Sequence, residues 1–258
     1  AREGYVNLLP VQHKRSKNPG DNSEMVRGRR ALHQAQLYRP LAEALCDLVA
    51  TCRDVSTLLD IGCGEGYYDG MLSARLPGLS VYGVDIAKTA VRLAARDYRS
   101  QHYAVASSRH LPVMTSSIDL AMCIFSPVND SEVARAVRPN GYYLEVGPAA
   151  QHLWELKTAL YEQPREHPLL RRTIPGGALV QEGECHYEKQ LTQTELQAVV
   201  AATPFAFRGH REKREALREQ SDFVITLGFS WRLFRLAALR DTVASGAVLD
   251  DALESTDL

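Results

Sequence analysis

Asp60, Gly62, Gly64, Glu65 and Gly66 stand together in the stretch LLDIGCGEGYYDG (58–70), where an apolar run ends at an acid and breaks into glycines at every second position. Glycines so spaced belong where the backbone turns sharply, or where a ligand comes too close to leave room for a side chain. Two ligand classes use such a turn between strand and helix: dinucleotides and S-adenosylmethionine. A dinucleotide's pyrophosphate calls for GxGxxG on a helix N-terminus, and here the third position of that pattern falls on Tyr67. The spacing present is GxGxG, with Asp60 before it and Glu65 inside it. Two carboxylates at that mouth repel a pyrophosphate, whereas they receive an ammonium or bridge a ribose. The pattern favours a cofactor with an amino-acid end and no phosphate. Asp85, which ends the next apolar run, offers a carboxylate to both ribose hydroxyls through charge-assisted bonds. Asp85 alone would serve an NAD ribose equally well. Together with Asp60-x-Gly-x-Gly-x-Gly it points to S-adenosylmethionine, and so to methyl transfer. A purely structural tight turn would have to explain three glycines and two acids at once.

Other residues carry less. Ser107 follows a short apolar run at the place where such a fold approaches the adenine, and an ordinary loop serine explains it as well. Cys63, between two of the glycines, reads as a small buried residue. His152 opens a helical stretch, where a structural role is as natural as a ligand contact. Between His13 and Arg30 lie Lys14, Arg15, Lys17, Arg27 and Arg29 with only Asp21 and Glu24 against them. That run is either a solvated surface or a patch for phosphates.

The elements that must position these residues follow from periodicity. TLLDI (57–61), SVYGVD (80–85), HYAVA (102–106), SIDLAMCIF (117–125) and GYYLEVG (141–147) read as strands, separated by helical stretches that begin at Tyr67, Ala87 and Ser131. Strands alternating with helices imply right-handed crossovers and a parallel sheet covered on both faces. Ligands of such sheets bind beyond the carboxyl ends of the strands, at the switch point, which is where the glycines lie. The expected fold is therefore α/β, a class I methyltransferase (Rossmann-like) sheet with an N-terminal helical and basic segment. In that segment Asp21 caps a helix with Glu24 in a box-like pair; Arg27 and Arg30 share one face, and Met25 and Leu32 point to an apolar one. Beyond the fifth strand, residues 151–161 form a helix, a loop rich in proline and glycine runs to Gly177, and CHYEKQL and DFVITLGF add two strands around a helix near Glu195–Ala202.

At 258 residues and 45% hydrophobic, the chain can bury a full core. It has no run long and apolar enough to span a membrane and no signal-peptide pattern. Five cysteines without CxxC spacing read as reduced thiols in a cytoplasm.

EGYVNLLPVQHKRSKNPGD (3–21), LDIGCGEGYY (59–68), VASSRHLP (105–112) and HLWELK (152–157) resemble the zinc-finger-bearing 23S ribosomal RNA (guanine-N1)-methyltransferases, from about Gly4 to about Trp231. The resemblance implies methyl transfer from S-adenosylmethionine to N1 of a guanine in a 23S rRNA hairpin loop. It also implies that Tyr38, Gly64, Glu65, Asp85 and His152 line the cofactor pocket. The organisation expected is a basic segment over 1–50 left from an RNA-recognition region, a methyltransferase domain over 51–240, and a flexible tail over 241–258. The family's Cys/His zinc module would precede residue 1, so zinc is expected only if such a module exists outside this chain. Where the family carries an aromatic residue and a proline after the fourth strand, this chain has Phe125-Ser126-Pro127. Phe125 is either a platform for a flipped-out guanine or a core residue at a strand end. Lys14, Arg15, Arg27 and Arg30 are the expected phosphate contacts.

Guanine N1 is a weak nucleophile until its proton leaves, so a base is chemically expected. Asp130 and Glu145 qualify by position and nothing ranks them. Two alternatives remain: a small-molecule methyltransferase, which leaves the basic run without a role, and a non-catalytic RNA-binding or assembly factor, which predicts an eroded glycine motif. The expected partner is 23S rRNA, with no membrane association; the oligomeric state stays open, a homodimer included.

Overall fold

The computed structural model describes residues 3–9, 20–170, 173–203, 205 and 211–237. His13, Lys14, Arg15 and Lys17 lie outside the described residues, as does the tail from Asp241. Eight strands form one sheet: β1 (Tyr5–Asn7), β2 (Thr57–Ile61), β3 (Ser80–Asp85), β4 (His102–Val105), β5 (Ile118–Ile124), β6 (Val137–Pro148), β7 (Gly177–Leu191) and β8 (Phe223–Leu236). Their order is β1-β4-β3-β2-β5-β6-β8-β7. From β1 to β6 every pairing is parallel, while β8 runs antiparallel to both β6 and β7. Strand order reverses between β2 and β5, so the crevice opens above the carboxyl ends of those two strands, where the class I arrangement puts its ligand.

The helices are α1 (Ser23–Gln34), α2 (Arg39–Ala50), α3 (Tyr67–Arg75), α4 (Lys88–Asp97), α5 (Asp130–Ala136), α6 (Trp154–Leu160), α7 (Gln193–Ala201) and α8 (Arg211–Arg218). Alternation along the strands divides the core. Leu58, Leu120, Met122 and Leu144 pack on one face with α2, α6 and α7, while Leu59, Ile61, Ala121 and Tyr143 pack on the other with α5. Leu41, Leu45 and Val49 of α2 belong to the first of these clusters, so α2 shares a core with the strands that follow.

The structure corrects one detail of the N-terminal helix. Asn22, not Asp21, caps α1: its Oδ1 accepts from Glu24 N at 3.0 Å and Met25 N at 2.9 Å. Asp21 instead pairs with Arg29 at 2.7 Å. The buried face of α1 carries Val26, Gly28 and Leu32, with Met25 only partly covered. Gly28 lets α1 press on the end of α7, where an added Cβ would lie 2.7 Å from Ala202 N. The first strand, β1, was not legible because three residues at a sheet edge give too short a pattern. Among the described residues no helix is long and apolar enough to cross a membrane.

Candidate active site

The apolar strand β2 carries the chain to its carboxyl end at Ile61, and the three glycines that follow serve three different purposes. All have positive φ, at 89° for Gly62, 56° for Gly64 and 79° for Gly66, a region open to glycine at little cost. A Cβ on Gly62 would collide with the Ser126 side chain, and one on Gly66 would sit 2.7 Å from Tyr103 Oη. These two are glycines because protein lies against them. A Cβ on Gly64 would meet only Arg29 Nη1, at 3.9 Å, and would otherwise project into open space. That space is a cavity of about 310 Å³, within the range of small-molecule sites.

Several chain segments wall the cavity. The turn gives Asp60, Gly62, Cys63, Gly64 and Glu65, and α3 begins with Tyr67 and Tyr68. Asp21, Met25, Arg29, Leu32 and His33 come from α1 and the residue preceding its cap. Ile124 and Phe125 leave the end of β5, Pro148, His152 and Leu153 follow β6, and His167 reaches in from the loop before β7. Tyr38, Ala202, Thr203 and Phe205 complete it.

Of the sequence candidates, Tyr38, Asp60, Gly62, Gly64, Glu65, Phe125 and His152 therefore meet in one cavity. Asp85 stands behind the turn and shapes it, its carboxylate accepting from Gly64 N at 3.0 Å and Ala87 N at 2.7 Å. Gly66, Ser107 and Pro127 lie off the cavity wall. Ser107 Oγ accepts from Arg109 N, and Pro127 is exposed. Arg27 is exposed on the outer side of α1, and Arg30 is held by Asp97 at 2.6 Å. The basic run thus divides: Arg29 faces the cavity, Arg30 pairs within the fold, and Arg27 is open to solvent.

The electrostatics beneath the turn are acidic. Asp60 is 2% exposed with no partner for its Oδ1, and burial, then the neighbouring Asp69 charge, pushes its carboxyl well above the usual range. Burial also lifts Asp69, to about 7. For Glu65, burial works in the same direction but His33 outweighs it and holds the carboxyl below its usual range. His33 Nδ1 lies 2.5 Å from Glu65 Oε1, and its ring stacks on Tyr67 at 4.1 Å between centroids. Nothing in the sequence pattern singled out His33; only its place one helical turn beyond Arg29, on the same face, marks it.

The opposite wall is aromatic. Tyr38, Phe125 and His152 line it with Phe229 buried behind them, the four ring centroids lying 4.9 to 6.3 Å apart. Phe125 is 43% exposed and has φ of 54°, a left-handed backbone costing a non-glycine residue roughly 1–2 kcal/mol. Leu153, also on the wall, has φ of 57°. Strain of this kind persists where the surroundings over-determine it, most often at functional sites. Phe125 N donates to Val146 O and Leu153 N to Thr226 O, which fixes both backbones. His152 Nδ1 accepts from Gly228 N at 3.3 Å, so its Nε2 carries the proton toward Tyr38 Oη at 3.4 Å. Burial, then His167, pushes the His152 pKa down to about 3, leaving the ring neutral.

The arrangement fits S-adenosylmethionine on its own geometry. A glycine with room for a close approach opens on the cavity, an unpartnered buried carboxylate oxygen lies beneath it, and Asp60 and Glu65 set two acids at the turn. Comparisons with known proteins agree. The family described as "Methyltransferase domain" matches residues 58–141, and the one described as "RlmA, N-terminal" matches residues 1–17. A 23S rRNA (guanine(748)-N(1))-methyltransferase of Streptomyces fradiae is 30% identical over 84% of this chain and 79% of its own length. YxjB of Bacillus subtilis (strain 168) is 26% identical over 88% of this chain and 83% of its own length. Among solved structures, the YcgJ protein of Bacillus subtilis has the same fold, with a TM-score of 0.51 at 18% identity over 76% of this chain and 98% of that one.

Proposed function

We propose methyl transfer from S-adenosylmethionine to N1 of a guanine in a 23S rRNA hairpin loop, for the chain belongs to the 23S rRNA (guanine-N1)-methyltransferase family and its cavity suits that chemistry. The cofactor supplies a methyl group on a sulfonium, and the chain's residues bind, orient and shield. Gly64 leaves room for the cofactor to approach the backbone. Asp60 and Glu65 receive its amino-acid end, Glu65 being held in place by His33. Asp85 keeps lone pairs for the ribose hydroxyls while it pins the turn through Gly64 N. Tyr38 and His152 line the aromatic wall beside Phe125. Phe125, exposed and rigidly held, offers a stacking face to a guanine taken out of its loop. Arg27, with Lys14 and Arg15, meets the phosphates.

Displacement at a sulfonium methyl is in-line, so holding acceptor and donor on facing walls of one cavity supplies much of the acceleration. The observation that carries this reading is the junction of an acidic glycine turn with an exposed, strained aromatic residue in a single cavity. A small-molecule acceptor would not need an aromatic ring left open to solvent at the cavity rim. The test is mass-spectrometric mapping of 23S rRNA from cells with and without the gene. One loop guanine is expected to lose its N1 methyl group in the deletion and regain it on complementation. An unchanged methylation map would overturn the assignment.

A further inference from the structure

The amino-acid end of the cofactor carries an ammonium and a carboxylate on one carbon. Asp60 and Glu65 suit the first, and an acidic wall repels the second. Among the described residues that line the cavity, Arg29 alone carries a permanent positive charge; the others include no lysine and no second arginine. The cavity histidines offer no substitute. Burial, then His167, holds His152 neutral. Burial, then the Lys157 charge, keeps His167 below the ordinary histidine pKa, and His33 is engaged by Glu65.

Helix α1 sets Arg29 where a carboxylate would arrive. Arg29 and His33 are one helical turn apart, on a single face, and both line the cavity. His33 meets Glu65, while Arg29 Nη1 comes within 3.9 Å of the place a Cβ of Gly64 would take. Glu65 and the guanidinium thus attend neighbouring positions of the turn, as receivers for two charges on one carbon must. Burial raises the carboxyls of Glu65 and Asp85, and at both the Arg29 charge pulls the other way. Asp21 holds Arg29 through Nη1 at 2.7 Å and is its one ion-pair partner among the described residues. A guanidinium has several N–H donors, so this pairing leaves others for a ligand. Arg29 is also reachable, its side chain being 34% exposed.

We propose that Arg29 binds the carboxylate of S-adenosylmethionine, a contact that rests on the methyl-transfer reading above. Asp21 keeps the guanidinium in place, and the remaining donors take the carboxylate in charge-assisted bonds. Recognition of the cofactor then needs both charges of its amino-acid end, the ammonium at the acids and the carboxylate at Arg29. The N-terminal helix becomes part of the cofactor site through Arg29, while Arg27 stays exposed on its outer side.

Calorimetry on the full chain tests this with two probes. One is S-adenosylhomocysteine; the other is its decarboxylated counterpart, which keeps the ammonium and lacks only the carboxylate. The wild type should bind the first about tenfold or more tightly than the second. Arg29→Ala should weaken S-adenosylhomocysteine roughly 10- to 100-fold and change the decarboxylated probe by less than about threefold. Arg29→Lys should recover part of the loss, because it returns the charge without the planar fork. Salt titrations with a stem-loop RNA should give Arg29→Ala the wild-type slope. Equal affinity of the wild type for the two probes would overturn the proposal. So would a parallel loss of both probes in Arg29→Ala, which would mark a structural role. An unaltered S-adenosylhomocysteine affinity would overturn it too, and a flatter salt slope beside that result would give Arg29 to an RNA phosphate. A wild type that binds neither probe would instead overturn the methyl-transfer reading, and the carboxylate contact with it.

Discussion

The two walls of the cavity are built in opposite ways. The acidic wall is mostly one continuous stretch, Asp60 to Tyr68, folded by a tight backbone turn, pinned by Asp85 and underlain by the buried Asp69. The aromatic wall gathers Tyr38, Phe125, His152 and His167 from parts of the chain more than a hundred residues apart, backed by the buried Phe229. A wall made of one turn depends on backbone conformation, so it fails when a side chain is added. A wall assembled from distant rings depends on packing, so it fails when a side chain is removed. The difference explains why the first uses glycines and the second uses strained, bulky residues.

The largest effect expected from this contrast is at Gly64. Gly64→Val should weaken S-adenosylmethionine about a hundredfold or more, equivalent to about 2.7 kcal/mol, because the added carbons enter the cavity. Gly62→Ala should act differently, lowering the melting temperature through its collision with Ser126. Calorimetry and thermal melts on both variants check this; equal losses of affinity and stability in the two would erase the distinction among the glycines.

The acidic wall should also respond to pH in the sense opposite to the aromatic wall, where His152, neutral when folded, adds stability as pH rises toward about 6.5. Asp60 and Asp69 hold their protons more tightly when folded than unfolded. Their contribution to stability is thus complete below the unfolded carboxyl range of about 4 and is lost as pH rises above it, through about 7 for Asp69. The slope is bounded near 1.4 kcal/mol per pH unit for each proton. Melts of the ligand-free protein between pH 6.5 and pH 8, above the range where His152 contributes, should show this decline, and Asp69→Asn should flatten it. Stability that climbs across the same window would contradict the buried pair.

Phe125→Ala probes the other wall. It should weaken RNA binding by about 1–3 kcal/mol, the size of a lost base–aromatic stack, and leave cofactor affinity unaltered. Cofactor affinity falling while RNA binding held would place Phe125 with the wrong ligand.

The smallest effect concerns the outer face of α1. RNA affinity falls with salt by close to one logarithmic unit per phosphate contact. Arg27→Ala should flatten that dependence by about one unit. Arg30→Ala should change it less, since Arg30 is already paired with Asp97. Salt titrations of both variants decide it; two identical slopes, equal to wild type, would reduce the outer face to solvation.

What the sequence determined by itself is the acidic wall and the sheet behind it. An acid and three glycines two apart can only be a turn, and apolar runs alternating with helical stretches can only be a covered parallel sheet, because both signals are local and periodic. Asp85 was legible for the same reason, as the acid that ends a strand. Residues whose role comes from neighbours distant in the chain were not legible. His33 matters because α1 lays it on Glu65, and His167 because a loop returns it beside His152; neither has a pattern of its own. Ser107 and Gly66 show the converse, since their sequence positions matched a pocket role while the fold set them against Arg109 and Tyr103. Arg29 and Arg30, adjacent and chemically identical, take unlike places because about 100° of rotation per residue in a helix turns one toward the cavity and the other toward Asp97. Packing of α1 on α7 through Gly28 fixes which one faces inward, and that choice belongs to the tertiary structure alone.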